Sequence, residues 1–370
     1  MTPLRDWLSL TLIPGLGNVL MARLLAVYGE PAAVLEASAR DLYQVPGIGK
    51  KLVQGIDAPA LRRAADRELQ KADQEQVTIL TFNDPRYPEL LRHIYSPPLL
   101  LYVQGDVELL ATTCVAMVGS RAATVYGKRI AADMAQRLAA SDVTVVSGVA
   151  LGIDAAAHAG ALAGGKTIGV LGCGLDVVYP RQHRQLYQEI AGQGALVSEY
   201  PFGTIPEAFR FPSRNRIISG VSQGVVVVEA AHQSGSLITA RLALEQGRDV
   251  FAIPGRIDSM KSCGVHRLLQ EGATLVQSVD DIFQELGLRG EPEAREDRPD
   301  KKRSGTALTP EEERLYGWLD VYPQNIDELI QNSHMAPDKV AELLLLLELK
   351  GLIESLSGNH YQKISSAQII

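Results

Sequence analysis

Apolar residues follow two regimes along the chain. From Leu4 to about residue 75 they recur three and four positions apart, which predicts short amphipathic helices. From Val77 the pattern changes to short runs rich in β-branched residues, which predict strands at Val77–Phe82, Leu99–Val103, Cys114–Val118, Val143–Val146, Thr167–Leu171, Val225–Val228, Asp249–Ile253 and Ala273–Val276. Helical spacing returns between them, near Val125–Ala140, Ile153–Ala163, Gln182–Gln193 and Leu237–Gln246. Short apolar strands alternating with helices predict an α/β domain over roughly 77–288. Its sheet is doubly wound, mostly parallel and covered on both faces.

The flanks read differently. Residues 1–76 carry an internal repeat in which helices are interrupted by Pro14-Gly15-Leu16-Gly17 and again by Pro46-Gly47-Ile48-Gly49-Lys50-Lys51. The repeat resembles a helix-hairpin-helix (SAM-like) domain. There a glycine turn offers free N–H groups to a phosphate, and Lys50 and Lys51 suit a secondary backbone contact. A compact helical domain that uses the glycines only to turn accounts for the same residues. Residues 289–305 are almost entirely polar and predict a flexible linker. Beyond it, Thr309-Pro310-Glu311-Glu312 is a helix start, followed by helices near Asn325–Asn332 and Ala336–Lys350. A hairpin from Leu352 to Ile364 turns at Ser357-Gly358-Asn359. Three helices and a hairpin over 306–370 resemble a winged-helix domain. Its third helix sets Glu342 and Glu348 against Lys339 and Lys350, which suits packing or protein docking better than a duplex backbone.

Composition narrows the function classes. The 370 residues are 46% hydrophobic and 21% charged, as in a globular protein with sizeable cores, and the length predicts two or three domains. The net charge of −7 argues against a histone-like or polybasic binder, so any polyanion site must be a local patch. Aromatics at 5% argue against a site built mainly on stacking. Cys114, Cys173 and Cys263 are isolated and odd in number, which predicts a reduced protein without a zinc site. No basic, apolar leader opens the sequence and no apolar run is long enough to span a bilayer, so a cytoplasmic location is expected.

The chemistry concentrates in the loops that follow the predicted strands, where open α/β sheets bind ligands. Gly119-Ser120-Arg121 follows Val118, Ser147-Gly148 follows Val146, and Ser234-Gly235-Ser236 directly precedes a helix. Small hydroxyl residues, glycine and a helix start are the ingredients of an anion site, and arginine adds bidentate phosphate contact. Three such loops on one sheet edge suit a run of phosphates. Pro206 to Arg216 adds Arg210, Arg214 and Arg216 beside Phe209 and Phe211, with only Glu207 opposing them. Arginine neutralises phosphate and an aromatic ring can stack on an unpaired base. Core packing of the phenylalanines and salt-bridging of the arginines are the alternatives. Asp154 and His158 share a helix turn, where a helix-start hydrogen bond for Asp154 is favoured over acid–base work. The chain lacks a G-x-G-x-x-G dinucleotide loop, and no Cys/His pair suggests itself as a nucleophile.

Met117-Val-Gly-Ser-Arg121, Ser147 through His158, Gly172-Cys-Gly-Leu-Asp-Val-Val-Tyr-Pro180, Phe211-Pro-Ser-Arg-Asn-Arg-Ile-Ile-Ser-Gly220, Glu229 through Ala240 and Ile253-Pro-Gly255 resemble, in order, the signatures of the DNA-processing protein A (DprA/Smf) family. The resemblance implies a Rossmann-like central domain and a recombination mediator that binds and protects single-stranded DNA. It implies help in loading the RecA recombinase during natural transformation, and a homodimer formed through the central domain. It implies no catalytic residue, no cofactor and no metal. The pocket it implies comprises Gly119, Ser120, Arg121, Ser147, Gly148, Arg214, Asn215, Arg216 and Ser234 to Ser236, to which the cationic cluster adds Arg210 and Phe211. One departure is Gly264-Val265-His266-Arg267, where the family pattern has a Gly-x-Asn-Arg-like turn; His266 and Arg267 remain secondary contacts. The competing enzyme class, nucleoside-monophosphate phosphoribohydrolases on a related sheet, uses a P-G-G-x-G-T-x-x-E loop. The chain has Val228-Glu-Ala-Ala-His-Gln-Ser-Gly-Ser-Leu-Ile-Thr239 there instead.

Overall fold

The computed structural model describes residues 4–288, 308–320 and 322–364. The chain divides into two units, Met1–Glu291 and Pro292–Ile370. The linker expected at 289–305 lies outside the described residues.

The first unit is built on nine strands: β1 (Val77–Thr81), β2 (Leu100–Gly105), β3 (Cys114–Val118), β4 (Thr144–Ser147), β5 (Thr167–Val170), β6 (Ala195–Ser198), β7 (Gly224–Val227), β8 (Asp249–Ala252) and β9 (Thr274–Leu275). Their order is β1-β2-β6-β5-β4-β3-β7-β8-β9. Pairing is parallel from β6 to β9 and antiparallel at β1–β2 and β2–β6. The alternation of side chains sorts β3 cleanly. Val115 and Met117 pack under the helices Val125–Ala140 and Ile153–Gly164, whereas Ala116 and Val118 join the core of the opposite face. Both faces of the central strands are therefore apolar, as the continuous runs predicted.

The front segment forms short helices from Leu4–Thr11 to Ala58–Gln74. In both hairpins the first glycine, Gly15 or Gly47, takes the left-handed conformation. The second, Gly17 or Gly49, precedes a helix without a side-chain cap. These helices share one core with the sheet: Trp7, Leu8 and Leu24 belong to the same buried cluster as Ile79, Leu100, Tyr102 and Leu196.

Strand β6 and the helices Arg210–Gly220, Cys263–Gln270 and Val279–Glu285 are among the elements absent from the sequence expectations. β6 follows the helix Arg184–Gln193 with only Gly194 between them, so its apolar residues read as a continuation of that helix.

The second unit has helices Pro310–Trp318, Ile326–Ser333 and Pro337–Leu349 and the strands β10 (Gln324–Asn325), β11 (Ile353–Leu356) and β12 (His360–Lys363), ordered β10-β12-β11. Thr309 caps the first helix, and Glu312 completes a capping box. Leu315, Leu329, Val340, Leu343, Leu344 and Leu347 form its core.

Candidate nucleic-acid interface

The chain winds from β3 to β4 on one side and from β7 to β8 on the other. The loops leaving the carboxyl ends of β3 and β7 therefore diverge and open a crevice at the switch point, where such sheets bind ligands. A cleft of about 610 Å³ lies there. Its lining comes from the β3 loop (Gly119, Ser120, Arg121), the N-terminus of the Gly235–Glu245 helix (Ser234, Gly235, Ser236) and the Arg210–Gly220 helix (Phe211, Arg214, Asn215). Nine of the sequence-selected residues thus meet in one place. Gly148 lines a smaller adjoining hollow with Arg121, Phe211 and Arg214.

Each wall has a local cause. Ser120 N–H donates to Glu229 O at 2.8 Å, tying the β3 loop to the β7 loop. Gly119 is required by packing: a Cβ there would lie 2.6 Å from Ile153 Cγ1. Ser234 caps the Gly235–Glu245 helix, its Oγ accepting from Ser236 N–H at 3.4 Å and lying 2.7 Å from Ser236 Oγ. That helix start presents N–H groups and the positive end of its dipole to the cleft. Arg121 is exposed, and its guanidinium carbon stands 5.4 Å from the centroid of the Phe211 ring. No carboxylate within 4 Å pairs with Arg121 among the described residues, which leaves its charge available to a ligand.

Arg214 works differently. It is 4% exposed, and Nη1 donates to Gly148 O at 2.8 Å and to Val170 O. It therefore braces the loops after β4 and β5 from beneath. Asp154, also buried, accepts from Gly148 N–H at 3.1 Å and Ala150 N–H at 3.4 Å, the helix-start role favoured from sequence. Burial pushes its carboxyl group up, and the Arg214 guanidinium pulls it back. His158 turns to Thr167 Oγ1, 2.7 Å away, and burial drives its pKa down to about 3. Asp154 lines the cleft, whereas His158 does not.

The remaining selected residues lie elsewhere or are engaged. Ser147 is fully buried and donates to Met117 O at 2.6 Å. Arg210 pairs with Glu207 at 2.7 Å and lies over the Tyr200 and Phe209 rings. Arg216 pairs with Glu199, which also accepts from Asn18 Nδ2 at 3.0 Å. Lys50 and Lys51 are exposed at the start of the Lys50–Gln54 helix, outside the cleft lining. His266 donates from Nε2 to Gly255 O at 2.9 Å, and Arg267 pairs with Glu271 at 2.7 Å. Phe209 and Phe211 belong to none of the hydrophobic cores, and only Phe211 lines the cleft. Glu229 accepts from Thr124 N–H at 2.9 Å and from Thr124 Oγ1, so both carboxylate oxygens are held inside the fold. Among the described residues no group of three or more His, Cys, Asp and Glu could hold a metal, and no helix is long and apolar enough to cross a membrane.

Comparison with known proteins now decides the family. The family model of DNA recombination-mediator protein A matches residues 78–287, more than half of the chain. The chain belongs to the DprA/Smf family. Within DprA/Smf, the protein Smf of Synechocystis is 34% identical over 389 residues, covering 96% of this chain and 98% of the relative. The X-ray structure of DprA from Streptococcus pneumoniae superposes with a TM-score of 0.63 at 40% identity, over 76% of this chain and 96% of that one. DprA from Helicobacter pylori, whose structure was reported for its single-stranded DNA binding mode, gives 0.53 at 34% identity, over 57% and 95%. The flanks match a SAM-like helix-hairpin-helix tandem at 8–56 and the DprA winged-helix domain at 299–359. The chain is thus a DNA-processing recombination mediator built as a DprA. Tyr179, Pro206 and Thr239 also line its cleft. All three lie in segments quoted from the sequence, but none carries charge and none was selected.

Proposed function

We propose that this DprA homologue grips single-stranded DNA by its phosphates in the switch-point cleft and performs no catalysis there. The Arg121 guanidinium, without an ion pair within 4 Å among the described residues and lining the same hydroxyl-bearing crevice as the N-terminus of the Gly235–Glu245 helix, carries this reading. Cation, hydroxyls and helix N–H groups are phosphate ligands, and none of them reads a base edge, so little sequence preference follows. Engagement of Glu229 and His158 inside the fold supports a binding role over glycosidic-bond hydrolysis. Protection of incoming single strands, help in loading RecA, a homodimer through the central domain and a cytoplasmic location complete the proposal. The selected residues 119–121, 148, 211, 215 and 234–236 form its primary site, with Arg214 bracing it from beneath. Arg210, Arg216 and Ser147 support it from behind, and Lys50, Lys51, His266 and Arg267 are secondary.

Fluorescence anisotropy of a labelled oligothymidylate, with unlabelled duplex as competitor, tests this. Tight binding that resists the duplex supports the proposal. Absence of binding at low salt, together with base release from nucleoside monophosphates, would overturn it in favour of the hydrolase class.

A further inference from the structure

A winged helix that reads DNA lays a helix in the major groove and holds the flanking phosphates with cations. The winged-helix unit of this chain has few to offer. Between residues 308 and 364 the sequence carries ten Asp and Glu against four Lys and Arg. All four cations are engaged within the unit. Arg314 donates to Ser333 O at 3.4 Å, and Lys339 pairs with both Glu311 and Glu342 at 3.2 Å. Lys350 pairs with Glu312 at 2.6 Å, and Lys363 lies 4.5 Å over the Tyr316 ring.

The third helix of the unit, Pro337–Leu349, packs with one side only. Val340, Leu343, Leu344 and Leu347 enter the core. The opposite side carries Leu345, Leu346 and Leu349, which are 56%, 37% and 77% exposed. Leu345 and Leu349 stand one turn apart and extend a row begun by the exposed Ala341. Neighbouring apolar side chains left open on one face mark an interaction surface, whereas single ones do not. The rim of this face is acidic. Asp338 makes no ion pair among the described residues, and Glu311 and Glu342 share the one charge of Lys339. A second copy of the face would bring the same excess of acid against it, and a duplex would bring phosphates. A cationic partner with an apolar stripe of its own complements both features.

We propose that this face docks a basic, amphipathic helix of a partner protein, whose apolar stripe covers Leu345, Leu346 and Leu349 while its Lys and Arg side chains meet Asp338 and Glu342. The inference is independent of the phosphate grip in the cleft, and its failure leaves that grip untouched.

Fluorescence anisotropy of a labelled leucine–lysine peptide, with its leucines along one helical face, tests this on the full chain. The comparison proteins are Leu345→Ser/Leu349→Ser and Asp338→Asn/Glu342→Gln. All four positions are exposed, so both variants are expected to melt like wild type. Removing two leucines from the covered face is expected to weaken peptide binding by about 10-fold or more. The neutralised rim is expected to weaken it by about 3-fold and to flatten its salt dependence. Absence of peptide binding by wild type, equal binding by wild type and the leucine variant, or equal binding of a leucine–glutamate peptide overturns the proposal. Two further readouts separate the other occupants. If the leucine variant loses duplex DNA binding that wild type has, the face belongs to nucleic acid and the proposal falls. If it loses a self-association seen for wild type in sedimentation equilibrium, the occupant is a second copy and the proposal falls equally.

Discussion

Arg214 is the buried keystone of the cleft floor, and its replacement by methionine tests that role. A Cβ placed on Gly148 would lie 2.5 Å from Arg214 Nη2 and 2.7 Å from Asp154 Oδ2, so cation and carboxylate crowd one point. At a separation of roughly 5 Å and an effective dielectric of about 20, their attraction is about 3 kcal/mol. Arg214→Met removes that attraction and leaves Gly148 O and Val170 O without their donor. Breaking a buried pair from one side costs about 3–5 kcal/mol. For a unit of this size that lowers the melting temperature by on the order of 10 °C. Asp154→Asn keeps an acceptor for the N–H groups of Gly148 and Ala150 but removes the charge. The double variant is therefore expected to be less destabilised than the sum of the two single ones. Thermal melting of all four proteins, followed by circular dichroism, measures the coupling. Strict additivity, or an Arg214→Met protein as stable as wild type, would refute the keystone role and return Arg214 to the list of direct phosphate ligands.

The two flanking arginines predict a contrast. Glu199 and Arg216 are mostly buried, so Glu199→Ala strands a charge and is expected to cost about 3–5 kcal/mol in denaturant titration. Glu207→Ala breaks a more exposed pair and is expected to cost about 1 kcal/mol or less; equal losses would contradict the assignment. His158 predicts a pH effect, because burial and the nearby Arg214 charge hold its pKa at about 3 against an ordinary value of 6.5. From pH 6.5 down towards 3 the unfolded chain takes up a proton that the folded chain refuses. Stability therefore falls with acid, by up to about 1.4 kcal/mol per pH unit. His158→Gln is expected to flatten that dependence, and an unchanged slope in denaturant titrations would refute it.

Much of this was legible in the sequence, for reasons visible at particular residues. The runs from Cys114 to Val118 and from Val225 to Val228 are apolar throughout because both sheet faces are covered, and a run that is buried on both sides reads as strand without ambiguity. Thr309, Pro310 and Glu312 announce a helix start by local chemistry alone. What stayed hidden is long-range. Arg121, Arg210 and Arg216 look equivalent in sequence, yet Glu207 neutralises the second and Glu199 the third. Glu199 sits just past the end of β6, the strand that periodicity did not declare. Tyr179 and Phe211 lie on separate segments, and strand order alone brings their rings together.

The salt dependence of single-strand binding by wild type and Arg121→Ala tests the central claim most directly. Each phosphate neutralised on a single strand contributes about −0.7 to the slope of log K against log salt. The phosphate-gripping cleft predicts a clearly negative slope for wild type, and for a folded Arg121→Ala protein weaker binding with the slope reduced by about 0.7. A folded Arg121→Ala protein with wild-type affinity and slope would contradict it, because the exposed arginine of the cleft would then touch no phosphate.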